Sequence, residues 1–120
     1  MENPLLTFAS PSIIDPSGSK QGVSVVVHEI AHSWTGNTVT CGNWSNYWLN
    51  EGFTVFLERK AGLALFGSDF YKVEAVNGNN SVNDDYDTFK NTPQFSVLNV
   101  DTSKENPDDS SSVVPYEKGF

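Results

Sequence analysis

Cysteine, histidine and basic residues are scarce in this chain of 120 residues. The single cysteine, Cys41, excludes an internal disulfide and weakly favours a reducing, cytosolic setting. Only 7 Lys and Arg stand against 15 Asp and Glu. The resulting net charge of -8 argues against nucleic acid as a partner, because phosphate backbones select basic surfaces. No apolar run reaches the roughly 18 residues of a membrane-spanning helix, so no membrane segment is predicted.

The two histidines are four positions apart, at His28 and His32, and Glu29 directly follows the first. If the segment is helical, both imidazoles leave one face a turn apart and can bind a single metal ion. Glu29 then projects beside the metal, where a carboxylate can take a proton from an attacking water. Glu51 follows after eighteen intervening residues and offers a carboxylate from a second helix. Two His and one Glu leave a fourth metal position open, which is typical of catalytic zinc.

Apolar residues around the histidine pair recur with a helical period. They predict a helix over about residues 20–35 with one buried stripe, formed by Val23, Val26, Val27, Ile30, Ala31 and Trp34. The valines at 25–27 locally favour a strand, but the periodicity and the ligand spacing outweigh that preference. The pair Gly36-Asn37 is predicted to end the helix.

The other segments are predicted from their prolines, glycines and polar turns. Residues 1–14 are expected to be extended, because their prolines break any helix. A second helix is predicted over about 46–66, and a third from 68 or 69 to about 76, where an Asn/Gly cluster indicates a turn. Residues 92–100 are predicted to be extended, with a polar loop after them.

Three blocks of this sequence resemble the M1 family of gluzincin metallo-aminopeptidases. Met1-Glu2-Asn3-Pro4 is similar to the exopeptidase motif of that family, and Tyr116-Glu117-Lys118-Gly119-Phe120 to its catalytic-tyrosine motif. Between them, the two histidines and Glu51 match its zinc motif. The local sequences His-Ser-Trp-Thr-Gly-Asn and Trp-Leu-Asn-Glu-Gly are most similar to the leukotriene A-4 hydrolase branch.

The resemblance implies an α+β, mostly helical fold. It corresponds to the central part of a thermolysin-like (gluzincin) catalytic domain, in which an edge strand is followed by the zinc-binding helices. Members of this family are several times longer. Residues 1–120 are therefore expected to be a partial peptidase M1 catalytic domain without its N-terminal β domain and C-terminal helical domain, cytoplasmic, and inactive as an isolated fragment.

The resemblance also implies roles for individual residues around one Zn²⁺ held by His28, His32 and Glu51. Glu29 is the expected general base, and Tyr116 is expected to hydrogen-bond the oxyanion. Glu2 is expected to bind the ammonium group of peptide substrates with a free N-terminus.

Glu58 lies seven residues after Glu51, two helical turns along the same face. Two interpretations stay open for it. It could orient a metal ligand, or it could form an ordinary salt bridge with a neighbouring Lys or Arg.

The hydrolase branch also opens a fatty-acid epoxide, and this chain matches the residues for that reaction only in part. Asp108 aligns with the water-directing aspartate of the branch, whereas Ser111 stands where the branch has a second pocket tyrosine. The favoured function is a zinc metallo-aminopeptidase. The alternatives are a bifunctional enzyme that also acts on a lipid epoxide, and an inactive fragment or binding module.

Overall fold

The computed structural model of the chain describes residues 2–18, 20–106, 109 and 111–120. Three helices are the main elements of the fold: α1 (Gln21–Ala31), α2 (Tyr47–Phe66) and α3 (Ser68–Thr88). Shorter 3-10 helical turns lie at Pro11–Ile13, Trp44–Asn46 and Pro93–Ser96, and a π-helical turn, here called the C-terminal turn, spans Val114–Lys118. The predicted mostly helical fold is confirmed. Within the described ranges, no helix combines the length and the apolar character needed to cross a bilayer.

The edge strand predicted over residues 1–14 is not confirmed, since the described part of that range, residues 2–14, forms no strand. Residues 3–10 are exposed and include a turn, and a 3-10 helical turn follows them. Across the described part of the chain, extended pairing is limited to one isolated bridge between Thr35 and Val39. A strand requires a neighbouring strand for its backbone hydrogen bonds, and the described residues provide none for this segment. Residues 92–100 are likewise not extended, because Pro93 starts a 3-10 helical turn.

Helix α1 ends at Ala31, several residues before the predicted end at Gly36-Asn37. The chain then forms a wide turn in which the Asn37 N–H donates to the His32 carbonyl at 3.0 Å. Gly36 has φ of +123°, and a β-carbon there would lie 2.7 Å from Nδ1 of His32. The positive φ and the lack of space for a β-carbon therefore both require glycine at this position. The early turn contributes to the site, because it brings the Thr35 carbonyl oxygen within 2.8 Å of His32 Nδ1.

The apolar stripe predicted to be buried on α1 is largely exposed in this chain. Val23, Val26, Ile30 and Trp34 expose 39%, 38%, 51% and 62% of their surface, and Ala31 is the buried member of the stripe. Helix α1 instead buries part of its histidine-bearing face against α2. Periodicity identifies a face that avoids water, but it does not reveal whether the same chain supplies the surface that covers it.

Helix α2 has the predicted extent, whereas α3 continues well beyond the predicted turn at residues 77–80. Gly78 explains why the helix persists through this Asn/Gly cluster. A β-carbon at Gly78 would overlap the Glu117 carboxylate and the Arg59 guanidinium. The unfavourable helix propensity of glycine is thus outweighed by close packing against the C-terminal turn.

Arg59 fastens the C-terminal turn to the two long helices. Its side chain is 4% exposed and donates to the Glu117 carboxylate and, at 3.0 Å, to the Glu74 carbonyl. The guanidinium carbon also lies 4.1 Å from the ring centroid of Phe120. Removing one partner of such a buried pair typically costs about 3–5 kcal/mol. This cluster therefore anchors the turn that carries Tyr116.

A second anchor is a direct backbone contact between α2 and the residue that follows the C-terminal turn. A β-carbon at Gly52 would lie 2.6 Å from the carbonyl carbon of Gly119, and one at Gly119 would lie 3.0 Å from Cα of Gly52. The two segments approach this closely only because both positions lack a side chain.

We expect Gly52→Ala to lower the free energy of unfolding by about 1–3 kcal/mol, as overpacking does. The loss outweighs the gain of about 1 kcal/mol that alanine brings inside a helix, because the new methyl group meets backbone atoms that cannot rotate away. Chemical denaturation of the full-length protein measures the change. Gly42→Ala is the control, since a β-carbon at Gly42 meets nothing within 4 Å. Equal or higher stability of Gly52→Ala would show that the C-terminal turn is not held against α2.

Candidate metal centre

The side chains of His28, His32 and Glu51 converge where α1 packs on α2. His28 Nε2 lies 3.1 Å from His32 Nε2 and 3.1 Å from Glu51 Oε2, and His32 Nε2 lies 3.3 Å from the same carboxylate oxygen. His32 and Glu51 are each 2% exposed. The sequence-predicted ligand atoms therefore form a compact, buried triangle.

This triangle fits a zinc ion. Two imidazole nitrogens and one carboxylate oxygen are donors that zinc prefers, with bonds of about 2.0 Å. Tetrahedral geometry with such bonds separates neighbouring ligand atoms by roughly 3.3 Å, which matches the observed edges of 3.1, 3.1 and 3.3 Å. Three protein ligands leave one position for water or substrate, as in catalytic zinc sites.

The other nitrogen of each imidazole faces an acceptor that orients the ring. His28 Nδ1 lies 2.9 Å from Glu58 Oε2, and His32 Nδ1 lies 2.8 Å from the carbonyl oxygen of Thr35. Each Nδ1–H therefore donates outward, and each Nε2 lone pair is directed into the triangle. Among the ion pairs of the described residues, Glu58 pairs with His28 and not with a Lys or Arg.

The sequence analysis did not identify Thr54, whose hydroxyl lies beside the His32 ring. Thr54 is fully buried, and its hydroxyl oxygen lies 3.2 Å from His32 Nδ1, 2.9 Å from the Thr35 carbonyl and 2.7 Å from the Asn50 carbonyl. The available signal was its spacing, three residues after Glu51 on the same helix face.

The electrostatics of the cluster favour a cation. Burial alone raises the pKa of Glu51, but hydrogen bonds from His28, His32 and Tyr47 outweigh it and lower that pKa to about 2. Burial alone lowers the pKa of His28, whereas contacts with Glu51 and Glu58 raise it to about 9. Carboxylates that stabilise positive charge on the imidazoles also favour a metal cation in place of that proton.

Glu2 and Glu29 lie on the open side of the triangle. One carboxylate oxygen of each lies within 4.8 Å of the other and of a ring nitrogen of His32. The Asn37 side chain donates to the backbone carbonyl of Glu2 at 2.8 Å and so ties this segment to the turn after α1. The structure thus brings both acidic residues predicted from the sequence to the metal centre.

Tyr116 approaches the same centre from the C-terminal turn. Its ring centroid lies 5.8 Å from that of His28. Burial, together with the negative charges of Glu51, Glu2 and Glu29, raises the pKa of the Tyr116 hydroxyl above its ordinary value, although a hydrogen bond with Tyr47 opposes the shift. The hydroxyl is therefore protonated at neutral pH and can donate a hydrogen bond.

Tyr47 is a further residue that the sequence analysis missed. Its hydroxyl oxygen lies 3.0 Å from the Tyr116 hydroxyl oxygen. Burial, together with the nearby Glu51 and Tyr116, raises the pKa of Tyr47. Tyr47 precedes Glu51 by four residues, and this spacing on one helix was the signal that could have identified it.

Two adjoining cavities meet at these residues. One, of about 520 Å³, contains the ligand triangle and Glu29. The other, of about 480 Å³, shares Glu2, Tyr47 and Tyr116 with it. The wall of the second cavity is mainly apolar and is lined by Trp44, Trp48, Phe95, Val97, Leu98 and Pro115.

The residues predicted for epoxide chemistry are only partly described. Ser111 lines the apolar cavity beside Tyr116. Asp108 lies outside the described residues, so its predicted role as a water-directing group stays a prediction.

Comparison with known proteins identifies relatives over the whole chain. Residues 1–120 match the Peptidase family M1 domain. Leucine aminopeptidase 2 of Aspergillus terreus is 46% identical over 120 residues, which are 100% of this chain and 19% of that protein. A leukotriene A-4 hydrolase homolog of Botryotinia fuckeliana is 45% identical over 120 residues, or 100% of this chain and 18% of that protein.

Comparison of the fold with solved structures identifies relatives of the same kind. The structure of yeast LTA4 hydrolase in complex with Bestatin matches with a TM-score of 0.90 and 40% identity, covering 100% of this chain and 19% of that chain. The chain thus spans about a fifth of the length of these relatives, 18–19%. The resemblance predicted from the sequence is confirmed, and the chain belongs to peptidase family M1.

Proposed function

We propose that this chain forms the zinc site of an aminopeptidase, which removes N-terminal residues from peptides. The observation that carries the proposal is the triangle of His28, His32 and Glu51, with the carboxylates of Glu2 and Glu29 on its open side. The relatives named leucine aminopeptidase 2 support the same activity.

Each residue around the triangle has a distinct task in amide hydrolysis. The three ligands would hold a zinc ion, which would supply a Lewis acid for the scissile carbonyl and lower the pKa of the attacking water. Glu29 takes the proton of the attacking water and later returns it to the leaving amine. Tyr116, held protonated, donates a hydrogen bond to the substrate oxygen as negative charge develops there.

Glu2 explains why the substrate would be cleaved at its N-terminus. Its carboxylate can bind the α-ammonium group of a peptide through a charge-assisted hydrogen bond. Glu2 lines both cavities, so an ammonium held there directs the first side chain into the apolar cavity and the first carbonyl towards the ligand triangle. We therefore propose peptides with an apolar first residue as the substrate class.

A second candidate is hydrolysis of a fatty epoxide by the same centre. The apolar cavity that adjoins the ligand triangle favours it, as do relatives named for leukotriene A-4 hydrolase. Ser111 opposes it, because this residue stands where that branch is expected to have a tyrosine. Product analysis with an unsaturated fatty epoxide distinguishes the two candidates, since an aminopeptidase alone leaves the epoxide intact.

We expect Glu29→Gln to keep zinc and to lower kcat by at least about 100-fold, because the substitution preserves shape and removes only the base. Hydrolysis of aminoacyl anilides by the zinc-loaded, full-length protein measures the loss, and metal analysis measures the zinc content. Glu105→Gln, remote in sequence from the motif, is the matched control. Activity above a few per cent with unchanged zinc would remove Glu29 from the mechanism.

We expect Tyr116→Phe to lower kcat by about 100-fold or more and to leave KM nearly unchanged, because the hydroxyl acts on charge that develops after substrate binds. Steady-state kinetics on the same anilides separate the two parameters. A change confined to KM would instead make Tyr116 a residue for ground-state binding.

We expect Glu58→Leu to weaken zinc binding by about 10–100-fold, because the His28 ring loses the acceptor that orients it. Competition with a chelator measures the affinity of the metal-free protein. Glu74→Leu, a nearby substitution of the same kind on α3, should bind zinc as the wild type does. Equal zinc affinity of Glu58→Leu and wild type would leave the contact with His28 without a role in metal binding.

A further inference from the structure

Tyr47 stands between the metal triangle and the C-terminal turn. It lies in the first turn of α2, four residues before Glu51, so both side chains leave the same helix face. Its hydroxyl oxygen lies 3.0 Å from the hydroxyl oxygen of Tyr116. The two tyrosine rings also pack edge to face, with centroids 6.2 Å apart.

We propose that Tyr47 is a positioning residue whose hydroxyl is linked by a hydrogen bond to the Tyr116 hydroxyl and thereby holds that hydroxyl in place beside the ligand triangle. The inference rests on the proposed aminopeptidase function, and it adds a residue that acts through Tyr116.

Each tyrosine hydroxyl carries one proton and can also accept a hydrogen bond, so either can be the donor of this link. A rotation of the Tyr116 hydroxyl about its C–O bond directs its proton to an oxyanion while the oxygen stays in place.

Other contacts of the C-terminal turn cannot replace this one. Arg59 and the Gly52–Gly119 approach hold the backbone of the turn. They act on the backbone and do not contact the hydroxyl of the tyrosine. The contact with Tyr47 acts on the hydroxyl itself, so it fixes the reacting end of the side chain.

A double-mutant cycle distinguishes the link from simple packing. Tyr47→Phe keeps the ring and its edge-to-face contact but removes the link, and we expect kcat to fall about tenfold with KM within about twofold. In a Tyr116→Phe background the same substitution should change kcat by less than about twofold, because its route of action is already absent. Tyr71→Phe on α3 is the matched control and should leave kcat unchanged. Unchanged kcat in Tyr47→Phe, or additive losses in the cycle, would overturn the proposal.

Stability gives a readout that does not depend on turnover. In chemical denaturation, the losses of stability caused by Tyr47→Phe and by Tyr116→Phe should not add in the double variant, because either substitution alone removes the link. Additive losses would overturn the link.

The two experiments separate this inference from the proposed function. A zinc-loaded wild type without Glu29-dependent peptide hydrolysis would contradict the function, and the denaturation cycle would still decide whether the two hydroxyls are linked. An active wild type whose Tyr47→Phe variant matches it in kcat, with additive losses in the denaturation cycle, would contradict the role of Tyr47 alone.

Discussion

The joint burial of His32 and Glu51 at the α1–α2 contact is the constraint on which the other features of this structure depend. Each is 2% exposed, and a carboxylate or imidazolium in that position is unfavourable unless its partners compensate it. The ligand triangle supplies that compensation from three side chains on two helices. The turn after α1, the polar face of α2 and the position of the C-terminal turn all serve to hold those partners in place.

Helix α2 places a row of polar side chains in the interior, next to the candidate metal site. Tyr47, Glu51, Thr54 and Glu58 follow one face at spacings of three or four residues, and each contacts a histidine, a tyrosine or the turn after α1. The buried apolar residues of the described chain are few by comparison, namely Ala31, Val55, Val82, Phe95 and Val114. Polar contacts therefore determine where the helices and the C-terminal turn meet as much as apolar packing does.

The parts that could be predicted from sequence are those governed by local spacing. The interval of four between His28 and His32, and of seven between Glu51 and Glu58, places each pair on one helix face, as the structure has them. The same spacing argument places Tyr47 and Thr54 beside Glu51, but a search for metal-binding side chains does not select them, because their hydroxyls are not typical metal donors. The end of α3 and the exposure of Val23 and Trp34 depend on packing between distant segments, which no local pattern records.

The acceptors of the two histidine rings differ in one further respect. The ring of His28 is oriented by a side chain, so a single codon change at Glu58 can abolish the contact. The ring of His32 is oriented by a main-chain carbonyl, which every residue at position 35 would provide. Loss of that contact requires the backbone itself to move, and Gly36, whose φ of +123° disfavours other residues, is where a mutation could do so. Mutation can therefore disturb the two histidines in different ways: the ring of His28 through the side chain at position 58, and the ring of His32 through the bend of the backbone at Gly36.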